Sequence, residues 1–224
     1  MAWRAFEDRV LNDLLPEFCN ARGWGLEGFR REWNRIGDRD AEDFLRGLDA
    51  GLVDHRGRGL YKAPRSTASE QFFWSGRVNV EPLKITLWAE PIITVAVLAR
   101  LHFDLGWPKH LLGTQSPGWA FDVTAYQPPD LKNEHIACEV KKSVFEVDQL
   151  VALMAHFGQN QPTGELGGHK KNAHRKVQAL RERRPPLFWA VGPDVSQVFG
   201  VTYDDELVML RPTSSEELRY VERS

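Results

Sequence analysis

Residues 118–142 constrain the fold more than any other stretch of this chain. Two short apolar segments, Phe121-Asp122-Val123-Thr124-Ala125-Tyr126 and Ile136-Ala137-Cys138-Glu139-Val140-Lys141, flank a run of turn formers from Gln127 to Glu134. That is the pattern of two antiparallel strands and their connection. Side chains alternate across a strand, so Asp122, Thr124 and Tyr126 are expected on one face and Phe121, Val123 and Ala125 on the other. The same rule sets Glu139 and Lys141 together, opposite Ile136, Cys138 and Val140. Charges on strands this apolar are costly to bury unless they are paired or bind a metal.

The pattern around this hairpin alternates helix and strand. Residues 91–105 are apolar nearly all round, which predicts a buried helix with Pro91 at its first position. Val144 to Phe157 reads as an amphipathic helix with Val147, Leu150, Val151 and Met154 on one stripe. A further helix is expected from His169 to Arg184, and strands over Leu187–Val191, Ser196–Tyr203 and Glu206–Leu210. The fold class that follows is α/β, with a mixed sheet between helical layers.

The first 64 residues read differently. Phe6, Val10, Leu14 and Phe18 recur every fourth residue and predict a helix from Trp3 to Cys19. A second helix is expected over Leu26–Ile36, and a third after Asp38 or Asp40, either of which can cap it, ending at Gly51. Leu52 to Tyr61 reads as a hairpin around a Gly- and Arg-rich turn with His55, Arg56 and Arg58. Three helices and a basic hairpin resemble a winged-helix module, which reads DNA through its third helix and its wing. The segment carries 11 basic and 12 acidic residues, less basic than DNA-reading domains usually are, so docking to a protein partner is an equal expectation. The Pro/Ser/Thr-rich stretch 63–70 suggests a boundary, dividing the chain into a module of residues 1–64 and a larger domain of residues 65–224.

With a net charge of −2, any nucleic-acid binding must come from local patches. Cys19 and Cys138 match neither a zinc spacing nor a disulfide framework. No signal-like N-terminus and no apolar run near the twenty residues of a membrane span are evident, so a cytoplasmic protein without a membrane partner is expected.

Phe121-Asp122 followed by Cys138-Glu139-Val140-Lys141-Lys142, in its helix-strand-strand-helix setting, resembles the signature of the PD-(D/E)xK superfamily of restriction endonuclease-like nucleases. The resemblance spans roughly residues 80–195. It implies a restriction-endonuclease-like α/β/α core and hydrolysis of DNA phosphodiester bonds by a Mg²⁺-dependent endonuclease, with Mn²⁺ as a substitute. It implies Asp122, Glu139 and the Val140 carbonyl as metal ligands and Lys141 as the catalytic lysine. It also implies an additional glutamate from the preceding helix, for which Glu90 is the first choice and Glu81 the second. Gln149 and Lys142 are accessory candidates. A winged helix ahead of such a domain resembles the layout of Mrr-type restriction enzymes, with roles in restriction, defence, mobile elements or repair. Cutting both strands of a duplex favours a homodimer.

Between His169 and Arg184 seven lysines and arginines meet one acid, Glu182, a concentration that phosphate neutralisation explains. Lys170, Lys171, His174 and Arg175, with Arg56 and Arg58 of the wing, are the candidate nucleic-acid contacts. Trp74, Trp88 and Trp119 are aromatic groups that can stack on bases. Two other readings compete. One is a DNA-binding or regulatory protein on a non-cutting nuclease fold. The other makes Glu139 a structural partner of Lys141 or Lys142 at a sheet edge.

Overall fold

The computed structural model describes every residue except 1, 32, 34, 35, 78, 206, 223 and 224. At the N-terminus, α1 (Ala2–Arg9), a π-helical turn (Val10–Leu14) and α2 (Leu15–Asn20) follow one another in helical conformation. Phe6, Val10, Leu14 and Phe18 point inward, as their spacing requires. The helix expected over Leu26–Ile36 is absent from the described residues. Instead β1 (Phe29–Arg30) pairs in parallel with a later strand at Ile85 and Thr86. The i, i+3, i+7, i+10 spacing of Leu26, Phe29, Trp33 and Ile36 imitates a helix. Gly25 and Gly28 disfavour one, and Gly28 is where the chain meets its neighbour: a Cβ there would lie 1.7 Å from the Leu83 carbonyl oxygen.

Next comes α3 (Asp38–Asp49), whose N-cap is Gly37, with no side-chain cap. Neither Asp38 nor Asp40 caps it. Asp40 and Asp43 instead turn into the interior towards Arg100. The expected hairpin is present as β2 (Asp54–His55) and β3 (Leu60–Lys62), and β4 (Glu70–Gln71) adds to β3. The polar stretch 63–69 therefore connects two strands of one sheet. Ser66 Oγ ties it to the later chain by accepting the Thr114 amide at 2.8 Å. β5 (Phe73–Ser75) and β6 (Ile85–Leu87), unforeseen in the sequence, complete a second small sheet with β1.

The apolar segment forms α4 (Ala89–Ala99) with a π-helical extension to Asp104, and Pro91 takes the third rather than the first position. Then follow β7 (Leu112–Thr114), β8 (Val123–Ala125), β9 (Ile136–Val140), α5 (Val144–Gln159), α6 (Gly168–Arg183), β10 (Leu187–Gly192), β11 (Val195–Asp204) and β12 (Leu207–Pro212). The six strands form one sheet in the order β12-β11-β10-β9-β8-β7. Only β9 and β10 run parallel, and the connection between them carries α5 and α6. The protein is α/β with mixed sheets and a helical N-terminal segment.

Alternation along β9 divides the interior. Ile136, Cys138 and Val140 join Val123, Ala125, Trp189 and Val191 in a core under α3 and α4. Ala137 joins Phe188 and Ala190 in a second core under α5 and α6. The first core also contains Phe6, Phe44 and Tyr61, so residues on both sides of position 64 share it. α3 packs closely on α4 because Gly47 leaves room: a Cβ there would lie 3.0 Å from Val95 Cγ1. Among the described residues no helix is long and apolar enough to cross a membrane.

Candidate active site

β9 is an interior strand, and its C-terminal end holds the charged groups. The β8–β9 register sets Val123 opposite Cys138, and the Asp122 amide donates to the Cys138 carbonyl at 3.0 Å, bringing Asp122 level with the end of β9. One Asp122 carboxylate oxygen, Oδ2, accepts the Val140 amide at 2.8 Å. The alternation expected for the first strand stops at Asp122: Phe121 packs with Ala137 under α6, away from Val123 and Ala125. The chain from Ser116 to Asp122 is irregular, so period-two counting fails there.

Glu139 is the centre of the cluster. Its side chain is only 3% exposed, yet it meets two ammonium groups: Lys141 Nζ lies 2.6 Å from Oε1 and Lys176 Nζ 2.5 Å from Oε2. Lys141 also donates to the Val140 carbonyl at 3.0 Å, and Lys176 to the Ala120 carbonyl at 2.7 Å. Burial alone would raise the Glu139 carboxyl, but Lys176 and Lys141 outweigh it and hold the group below its ordinary value. Asp122 has the opposite outcome. Burial first, then the negative charge of Glu139, push it up to about 8; Lys176, Lys141 and the Val140 amide offset only part of this. Against the cost of burial, Glu139 and Asp122 hold the Lys141 ammonium above its ordinary range.

Lys176 is the residue the sequence reading missed. It is one of the seven basic residues whose concentration suggests phosphate neutralisation, but it is buried beside Ala173, Val177 and Leu180. The signal was present: three residues after Ala173 and four before Leu180, a lysine on an apolar stripe demands a buried acid. Its helix-mates correct the picture further. Arg175 donates to the Trp119 carbonyl at 3.0 Å, and Arg183 holds the Pro117 carbonyl, Ser116 Oγ and buried Glu134. Much of the helix's charge thus straps down the 116–120 loop that presents Asp122. His174 packs edge-on to Phe157 and bonds Gln178. Lys170, Lys171 and Arg175 remain exposed.

Glu90 lies in the first turn of α4 and senses the cluster: burial raises its carboxyl, Lys141 opposes this and Glu139 adds to it. Glu81 sits in an exposed loop before a cis Pro82. Lys142 is exposed and pairs loosely with Glu146 at 3.6 Å. Gln149 is half-buried on α5, one turn beyond Glu146. In the β2–β3 hairpin, Arg56 pairs with Asp54 at 2.7 Å, and Arg58 is exposed. Trp74, Trp88 and Trp119 are all exposed: Trp88 precedes α4 two residues before Glu90, and Trp119 lies three residues before Asp122.

Beyond Asp122 a second polar group was also missed. The Gln115 amide donates to the Asp122 carbonyl at 3.1 Å, while Gln115 Nε2 bonds Glu70 Oε2 at 2.9 Å. Gln115 has a positive φ of 51°, a strained conformation for a non-glycine residue. Tyr61 lies close enough to Glu70 and Asp122 to feel both charges, though its buried hydroxyl makes no hydrogen bond of good geometry.

Among the described residues no group of three or more His, Cys, Asp and Glu is arranged to hold a metal ion. A cation at this site would therefore rely on the Asp122 and Glu139 carboxylates and the Val140 carbonyl. Those donors suit a hard divalent ion. Glu139 Oε1 and Val140 O already converge on one positive charge, the Lys141 ammonium. Comparison with protein-family models, curated proteins and solved structures finds no match to this chain in any of the three.

Proposed function

We propose that this chain is a metal-dependent nuclease of the PD-(D/E)xK type, with a restriction-endonuclease-like core, that hydrolyses phosphodiester bonds of DNA. The observation that carries the reading is the cluster at the end of the interior strand β9, where Glu139 pairs with Lys141 and Asp122 accepts the Val140 amide. A mere sheet-edge ion pair would not need an interior strand or a second carboxylate. The succession of α4, the β8–β9 hairpin and α5 supports it, matching the helix-strand-strand-helix setting of the motif.

In this reading Asp122, Glu139 and the Val140 carbonyl would hold Mg²⁺, which when bound would supply an activated water and stabilise charge on the phosphate. Lys141 carries positive charge towards the scissile phosphate, and Glu90 adds a carboxylate at the mouth of the site. Lys170, Lys171 and Arg175 hold the DNA backbone. Exposed Trp88 and Trp119, close along the chain to Glu90 and Asp122, offer faces for unstacked bases. A symmetric dimer would cut both strands. A second reading, a DNA-binding protein that does not cut, draws on one observation: both Glu139 oxygens are already neutralised by lysines.

The deciding experiment incubates supercoiled plasmid and linear duplex with the protein and Mg²⁺ or Mn²⁺, with and without EDTA. Metal-dependent nicking or linearisation that EDTA abolishes is expected. Binding without cutting would favour the second reading. A separate expectation concerns the exposed bases of α6. Alanine at Lys170, Lys171 and Arg175 together should weaken duplex binding and lower the salt slope by about 2 to 3, near 0.9 per lost phosphate contact. An unchanged slope in a fluorescence anisotropy titration would remove α6 from the interface.

A further inference from the structure

Glu139 has more counter-charge than it needs: one carboxylate, two ammonium groups, each within 2.6 Å. The two lysines are not equivalent. Lys176 reaches in from α6, its side chain is 3% exposed, and it is also tied to the Ala120 carbonyl. Its withdrawal would leave a buried acid and break the strap on the loop before Asp122. Lys141 is 17% exposed, and its second bond runs to the Val140 carbonyl, directly beside it in the chain. Its four-carbon stem can swing outward without disturbing any other element.

The atoms that Lys141 holds are the decisive point. Glu139 Oε1 and Val140 O are two of the three oxygens that would ligate a divalent ion, and the Lys141 nitrogen occupies the place where both converge. An ion at metal–oxygen distances of about 2.0–2.1 Å cannot share that place with an ammonium group. Retaining both lysines would also set four positive charges (two from the ion, one from each lysine) against the two of Asp122 and Glu139. Release of Lys141 reduces the excess to one, whereas release of Lys176 would strand a buried ammonium.

We propose that the two lysines divide the work: Lys176 is the permanent counter-ion of Glu139, and Lys141 is a placeholder that leaves Glu139 Oε1 and Val140 O when a divalent cation arrives. This rests on the proposed metal site and deepens it. Lys141 becomes free to face a phosphate only once the ion is in place, so the site arms itself on loading. The metal-free protein keeps its carboxylate neutralised and its strand intact.

Residue-resolved lysine methylation of the full chain, read by mass spectrometry with and without saturating Mn²⁺, tests this without reference to cleavage. Mn²⁺ should raise Lys141 modification about tenfold and leave Lys176 protected, and Lys141→Met should bind Mn²⁺ about tenfold more tightly by calorimetry, having lost its internal competitor. The proposal is overturned if Lys141 stays protected at saturation, if Lys176 becomes the reactive lysine, or if Lys141→Met binds no more tightly. Wild type that binds Mn²⁺ and releases Lys141 yet cuts no DNA would uphold the exchange and remove the nuclease reading. Wild type that binds no Mn²⁺ overturns both.

Discussion

Replacing Asp122 with Asn is expected to lower the proposed metal-dependent cleavage by about 100- to 1000-fold, the loss typical of one preorganised electrostatic group. The same change should leave the metal-free protein folded and, at alkaline pH, more heat-stable than wild type. The amide oxygen of Asn can still accept the Val140 amide that Asp122 Oδ2 accepts now. What disappears is a carboxylate that burial and Glu139 push up to about 8. A folded-state value raised above the unfolded one means that the protonated acid favours the native state. That contribution is complete below the unfolded value of 3.8 and is lost as pH rises through about 8. The melting difference between Asp122→Asn and wild type, in EDTA, should therefore grow between pH 5 and pH 9. Added Mn²⁺ should reverse the order by stabilising wild type alone. Equal melting at both pH values would refute the electrostatic account of Asp122, and wild-type cutting by the variant would sink the active-site assignment.

Arg100→Met should cost about 3–5 kcal/mol, the usual penalty for removing one partner of a buried ion pair. For a chain of this size that lowers the melting midpoint by roughly 10 °C or more. Arg100 bonds Asp40 at 2.5 Å and Asp43 at 2.8 Å, joining α4 to α3 with side chains almost wholly withdrawn from water. Asp43 would keep Arg46 at 2.9 Å, so Asp40 is the group stranded. Burial already raises the Asp40 carboxyl, and Arg100 offsets it. Without Arg100 the carboxyl rises further, and its protonated form favours the native state, so the deficit should shrink on acidification. Scanning calorimetry at pH 5 and pH 8 checks this, and Asp40→Leu added to Arg100→Met should recover part of the loss. A variant that melts with wild type would show that α3 and α4 hold by apolar packing alone.

The two predictions probe different levels of legibility. Local periodicity was enough for the hairpin, for α5 and α6, and for the strands after them. Asp122 could be matched to Glu139 because a short connection leaves two neighbouring strands little choice but to pair. The buried stripe of α5, with Val147, Leu150 and Met154, followed from helical spacing for the same reason. Where backbone geometry was irregular, counting failed: Phe121 crossed to the α6 side, and Leu26–Ile36 carried helical spacing but yielded a strand that Gly28 lets approach Leu83.

By itself, then, the sequence determined the α/β class, the hairpin that brings Asp122 and Glu139 together, and the shared face of Glu139 and Lys141, because these depend on interactions between near neighbours along the chain. Only the tertiary structure decided that Lys176 is the second counter-ion of Glu139, that Arg175 and Arg183 brace the loop before Asp122, and that Arg100 joins α4 to α3. Each of those depends on which distant residue comes to lie opposite a buried charge. The fold answers that question through packing, while a charge read along the chain looks the same whether it faces water or a carboxylate.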